Sequence, residues 1–204
     1  MKSEELSEYS DRPVVGITMG DAAGIGPEIV LKALANEDLR TAFRCVIIGD
    51  AVFLRKVAVD AGLDLELTHS NAAGDSQAVE VFDLENLPPE FEIGVDAAVT
   101  GKASAEYIEA AVELWRENKI EAICTAPISK KAISLGGYGF PGHTEFLASM
   151  TETTEFRMSF FAGKLRTVLL STHLPIVAAI ELIKKDNLID CYEFTASRKS
   201  IIPV

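Results

Sequence analysis

The sequence predicts an α/β fold built on a parallel or mixed sheet. Apolar runs of strand length alternate with longer amphipathic segments from Val14 to Lys184, and that alternation is the pattern of successive βαβ units. The 204 residues are 48% hydrophobic and 25% charged, which is enough apolar chain to bury a core without disulfide or metal staples.

Taken in order, Met1–Arg12 is polar and acidic and reads as a flexible tail. Val14–Met19 (VVGITM) reads as a buried strand, and Pro27–Ala35 as a helix with Ile29, Val30, Ala33 and Leu34 on its inner face. Arg44–Gly49 (RCVIIG) is a second strand. Ala51–Ala61 is a helix closed by Gly62, a residue suited to the left-handed position after a helix. Leu63–Thr68 and Val79–Leu84 read as short strands, and Leu87–Gly94, with Pro88 and Pro89, as a loop. Thr100–Asn118 carries the clearest helical stripe: Ala103, Tyr107, Ala111, Leu114 and Trp115. Ile120–Ala126 is a strand, and short helices are expected over 129–135 and 143–150. Met158–Ala162 and Thr167–Leu170 are strands, and Ile176–Lys184 is a helix. The Pro88–Pro89 loop and the turn at Thr125–Pro127 are both candidate boundaries, and the second divides the chain into a tail (1–12), a first α/β domain (13–125) and a second domain (126–204).

The formal net charge of −12 argues against nucleic acid or an anionic membrane surface as partner. It leaves room for a phosphorylated small molecule in a locally positive pocket. No run of about 18 apolar residues is present to span a bilayer. The acidic N-terminus lacks the basic and apolar regions of a signal peptide, so the expected compartment is the cytoplasm. Cys45, Cys124 and Cys191 are odd in number and form no C-x-x-C pair. They read as buried small apolar residues in a reducing compartment.

Four segments could carry chemistry. Gly20–Glu28 (GDAAGIGPE) follows a strand and opens a helix. Its glycines allow a tight turn, and Pro27 and Glu28 suit a helix's first turn. It lacks the lysine of a P-loop, which argues against a kinase-like phosphate binder, so a plain turn and a ligand loop stay open. Thr125–Lys130 (TAPISK) ends a strand where open α/β sheets place ligands. Lys130 there could meet a phosphate or carboxylate, help move a proton, or be a solvated surface lysine. Pro141–Glu145 (PGHTE) offers His143 and Thr144 at a helix start, as hydrogen-bonding groups or as caps. Ser171–Pro175 (STHLP) puts His173 just past a strand. Imidazole is a common metal ligand, but one histidine does not make a metal site. His69, the remaining histidine, reads as exposed and inert.

In this order and spacing the four segments resemble the 4-hydroxythreonine-4-phosphate dehydrogenase family, from about Pro13 to about Thr195. The resemblance implies a three-layer α/β/α fold similar to isocitrate and isopropylmalate dehydrogenases, and a homodimer with a metal-binding second domain. It implies oxidation by NAD (or NADP) of a secondary alcohol in a phosphorylated four-carbon acid. Decarboxylation of the β-keto acid follows, on the route to pyridoxal phosphate (pyridoxine biosynthesis). It also implies a divalent metal (Zn, Mg, Mn or Co) held by three histidines. Carried over residue by residue, His143 and Thr144 are substrate-binding, His173 is a metal ligand and Lys130 is the catalytic lysine; cofactor-binding residues remain unknown. Two alternatives accompany this function: a paralogous threonate or erythronate 4-phosphate dehydrogenase, and a non-catalytic truncated remnant. The family's other two metal histidines, in N-P-H-A-G-E-like and H-D-Q-G-like segments, do not occur here, and after Thr195 the chain reads ASRKSIIPV. The expectation is therefore an incomplete fold, with edges where the family has interior strands and with apolar faces left open.

Overall fold

The computed structural model describes residues 12–69, 78–140 and 142–197. The expected tail lies outside them except for Arg12, and so do Pro141 and the last seven residues. The chain forms two compact units, Met1–Glu152 and Thr153–Val204. The division expected after Thr125 falls inside the first.

The first unit is built on a five-stranded parallel sheet in the order β3-β4-β2-β1-β5. The strands are β1 (Val14–Thr18), β2 (Arg44–Gly49), β3 (Leu67–His69), β4 (Val79–Asp83) and β5 (Ala122–Thr125). Its helices are α1 (Gly26–Leu34), α2 (Glu37–Ala42), α3 (Ala51–Asp60), α4 (Ala98–Arg116), α5 (Lys130–Leu135) and α6 (His143–Met150). From β1 the chain winds outward through β2 to the β4 side, then returns through α4 to place β5 on β1's other flank. Right-handed crossovers put α1 and α3 on one face and α4, which returns in the opposite direction, on the other. That makes the three layers, with α1 against α3 and α4 across β1, β2 and β5.

Parallel register sets Ile17 beside Ile47, and Ile47 beside Val81. Leu31, Ile47, Ile48, Leu54 and Tyr107 are completely buried, each such side chain contributing about 1.5–3 kcal/mol. The inner face of α1 is Val30, Leu31 and Leu34, not the expected set: Ile29 and Ala33 face outward. On α4, Ala103, Tyr107, Ala111 and Leu114 are buried as expected, whereas Trp115 is 44% exposed. The strand expected over Leu63–Thr68 shrinks to Leu67–His69, so His69 ends a strand, exposed as expected. The cysteines are all free and none is fully buried. Cys124 is exposed on edge strand β5, and burial followed by the neighbouring Cys124 pushes the Cys45 thiol up.

Buried polar groups are used to hold loops. Glu80 is 7% exposed and accepts two bonds from Arg44, at 2.7 and 2.9 Å, the bidentate geometry that offsets burial of a charge. Asp50 caps α3 at Phe53 N (2.9 Å) and accepts from Leu87 N (3.3 Å). Tyr107 donates to Asn86 Oδ1 (2.8 Å), and Asn86 donates to Glu106 (2.7 Å). These bonds send the loop after β4 back across the sheet's carboxyl end, where Gly94 N meets Ala23 O at 2.7 Å.

The second unit holds an antiparallel pair, β6 (Ser159–Ala162) and β7 (Leu165–Val168), followed by α7 (Ile176–Glu181) and α8 (Lys185–Ser197). None of its described residues is fully buried. Phe160, Phe161, Ile176, Val177 and Ile180 are each more than half exposed. In the first unit β5 pairs, among the described residues, with β1 alone. An unpaired edge and open apolar faces are what an incomplete fold leaves behind.

Candidate active site

Strand order reverses direction at β1, whose neighbours are β2 and β5. In open α/β sheets ligands enter the crevice at such a reversal, beyond the strands' carboxyl ends. Here that crevice is a cavity of about 300 Å3, bordered by Asp21, Gly24, Ile25, Asp96, Pro127 and Ser129.

The loop after β1 folds for its own sake. Gly20 has φ +75, and a Cβ there would lie 2.3 Å from Pro127 O; one on Gly26 would lie 2.4 Å from Met19 O. Asp21 N bonds Pro127 O at 3.0 Å, and the Asp21 carboxylate accepts from Ala23 N at 2.9 Å. The glycines thus let two loops of the chain meet, which favours the plain-turn reading of this segment.

The loop after β5 delivers Lys130. Ser129 caps α5 by accepting from Ala132 N at 3.1 Å, which places Lys130 at the first helical position. Lys130 is exposed, and among the described residues no carboxylate pairs with it. Gly142 and His143 open α6 close by: the Cβ position of Gly142 is 4.0 Å from Lys130 Cε and 3.3 Å from Glu145 Oε2. The α6 end is anchored by Phe146, 2% exposed and stacked on Phe140 with centroids 4.2 Å apart.

His143 is half-buried, with the Ala126 backbone near its ring. Its Nε2 is buried with no hydrogen-bond partner among the described residues. Burial holds the imidazole below the ordinary histidine value of 6.5, and the Ala126 backbone opposes this in part. His143 is therefore uncharged at neutral pH, one ring nitrogen a donor and the other an acceptor. Following its ring protons by NMR should give a midpoint below 6.5; a midpoint above it would mean that a carboxylate, not burial, governs the ring. Because the folded value is depressed, the neutral ring favours the folded state above the unfolded value. That contribution is lost as pH falls through the folded one.

Lys130, Gly142, His143 and Glu145 are thus neighbours, with Thr144 exposed on the first turn of α6. His173 belongs to the second unit, exposed, with φ +58, a left-handed conformation that costs a residue with a Cβ about 1–2 kcal/mol. Among the described residues no group of three His, Cys, Asp or Glu side chains is placed to hold a metal. The donor set for the expected metal is therefore not complete in the described residues. Sequence reading missed the Ala126 backbone near the His143 ring, and the Ser129–Asp96 bond just before Lys130. Only Ser129, a serine directly before a helix, carried a local signal.

The fold places the chain in a class whose solved members are named dehydrogenases. A structure titled 4-hydroxythreonine-4-phosphate dehydrogenase from Burkholderia phymatum superposes with TM-score 0.82 at 38% identity, over 89% of this chain and 56% of that one. One of the same title from Klebsiella pneumoniae has TM-score 0.82 at 31% identity, over 92% of this chain and 58% of that one. The family model described as pyridoxal phosphate biosynthetic protein PdxA matches residues 41–200, and the chain belongs to that family. A relative from Cupriavidus necator, D-threonate 4-phosphate dehydrogenase, is 43% identical over 183 residues, 88% of this chain. The chain spans 54% of that relative's length.

Proposed function

We propose that the family-length protein oxidises the secondary alcohol of a four-carbon acid 4-phosphate with NAD or NADP, and that the resulting β-keto acid loses carbon dioxide. What supports this reading is that Lys130 Cε and Glu145 Oε2 both approach Gly142, next in the chain to His143, whose buried Nε2 has no hydrogen-bond partner among the described residues. His143 hydrogen-bonds the substrate hydroxyl and orients it. Thr144 binds the substrate from the adjoining position. Lys130 pairs with the carboxylate and then donates to the oxygen that gains charge as carbon dioxide leaves. The nicotinamide, when bound, supplies the acceptor for the hydride. His173 is the proposed single metal ligand from this half of the family's length. Homodimerisation is proposed for the second unit, whose exposed Phe160, Phe161 and Ile176 suit burial against a partner. The cytoplasm is the proposed compartment, and no helix among the described residues is long and apolar enough to cross a membrane.

Between the two substrates, the 43% identity to the D-threonate relative favours D-threonate 4-phosphate over 4-hydroxythreonine 4-phosphate, the substrate that the sequence resemblance put first. Rates of cofactor reduction by the family-length protein should show kcat/KM about tenfold or more in favour of D-threonate 4-phosphate. The reverse ratio would reassign the protein to the pyridoxal phosphate route. Reduction with neither substrate would end the dehydrogenase reading.

A further inference from the structure

We propose that Asp96 is a positioning residue for Lys130, an inference that rests on the dehydrogenase reading above. Lys130 and Lys131 occupy the first turn of α5, where free backbone N–H groups make lysine the wrong sign of charge. Something must offset the two lysines, and Asp96 does so for one of them. Its Oδ2 lies 3.4 Å from Lys131 Nζ. Its Oδ1 accepts the hydroxyl proton of Ser129 at 2.5 Å, while the same hydroxyl accepts from Ala132 N at 3.1 Å. One carboxylate thus orients the capping hydroxyl and balances Lys131, and it leaves Lys130 without an ion pair among the described residues, beside Gly142 and Glu145. The Ser129 bond first, and Lys131 after it, hold the Asp96 carboxyl below its usual range.

Asp96 is itself fixed by the chain on both sides. Gly94 N is bonded to Ala23 O at 2.7 Å, and α4 begins at Ala98. The path from the loop after β1 to the reacting lysine therefore runs Ala23, Gly94, Asp96, Ser129, Lys130. The competing view is that Asp96 makes an ordinary surface ion pair, worth about 0–1 kcal/mol and without bearing on catalysis.

A double-mutant cycle in the family-length protein separates the two. Asp96→Ala should lower kcat/KM for the four-carbon acid phosphate about tenfold. Asp96→Asn, which keeps an acceptor for the Ser129 hydroxyl, should recover most of the loss. Ser129→Ala, which removes the bridge from the other side, should reproduce it even if Asp96→Ala folds poorly. In a Lys130→Met background, Asp96→Ala should change the rate by less than about twofold. A tenfold loss persisting in that background, or none in the wild-type background, overturns the proposal and leaves the dehydrogenase reading standing. A wild-type protein inactive on both acid phosphates ends that reading and this proposal together.

Discussion

Replacing Lys130 by Met in the family-length protein should lower kcat/KM for the four-carbon acid phosphate by about ten- to a hundredfold. A hydrogen bond to a charged group is worth about 1.5–3 kcal/mol, and each 1.36 kcal/mol is about tenfold in rate. The loss should not come from unfolding. Lys130 is exposed and makes no ion pair among the described residues, and removing a lysine from the first turn of α5 relieves an unfavourable charge. The melting temperature should therefore hold or rise slightly while activity falls. Lys131→Met is the contrasting variant, since it removes the partner of Asp96 but leaves the Lys130 ammonium in place, and it should cost much less. If Lys130→Met keeps full activity, Lys130 is a surface lysine and the site must be sought elsewhere.

Much of this site was legible in the sequence, but as parts and not as a constellation. β2 runs Arg44–Gly49 as RCVIIG suggests, because a six-residue apolar run between polar turns has few other uses in a parallel sheet. α2 was invisible to periodicity because EDLRTA buries nothing; its only signal was Asn36, whose side chain accepts from Asp38 N. α8 escaped for the same reason, as none of its residues is fully buried. Trp115 was read as core because it lies next to Leu114, and helical spacing alone does not show where the stripe's edge falls. His143 and Lys130 could be picked out as residue types at strand and helix ends. That His143 leans on Ala126, or that Asp96 reaches Ser129, follows from how two loops cross beyond the sheet, and no local pattern encodes that crossing.

The packing of α5 against α4 makes Gly101 the position where a single methyl should do most harm. Gly101 lies inside α4, where Gly→Ala ordinarily stabilises a helix by about 1 kcal/mol. Here the added Cβ would lie 1.9 Å from Ala132 O and 2.0 Å from its carbonyl carbon, backbone atoms that cannot turn aside. At α5's other end a Cβ on Gly136 would meet Lys102 N at 2.6 Å. α4 and α5 therefore pack backbone against backbone at two glycines, and this contact fixes the helix that carries Lys130. Gly101→Ala should destabilise the first unit by about 2 kcal/mol or more, in the range of overpacked cores, and should lower kcat/KM by displacing Lys130. Gly139→Ala, where nothing lies within 4 Å of the new Cβ, should be nearly neutral in both respects. Melting temperature and kcat/KM measured on the two variants decide the matter. A rise in stability for Gly101→Ala would mean that α5 can move away freely, and then neither Ser129 nor Asp96 could hold Lys130 in place.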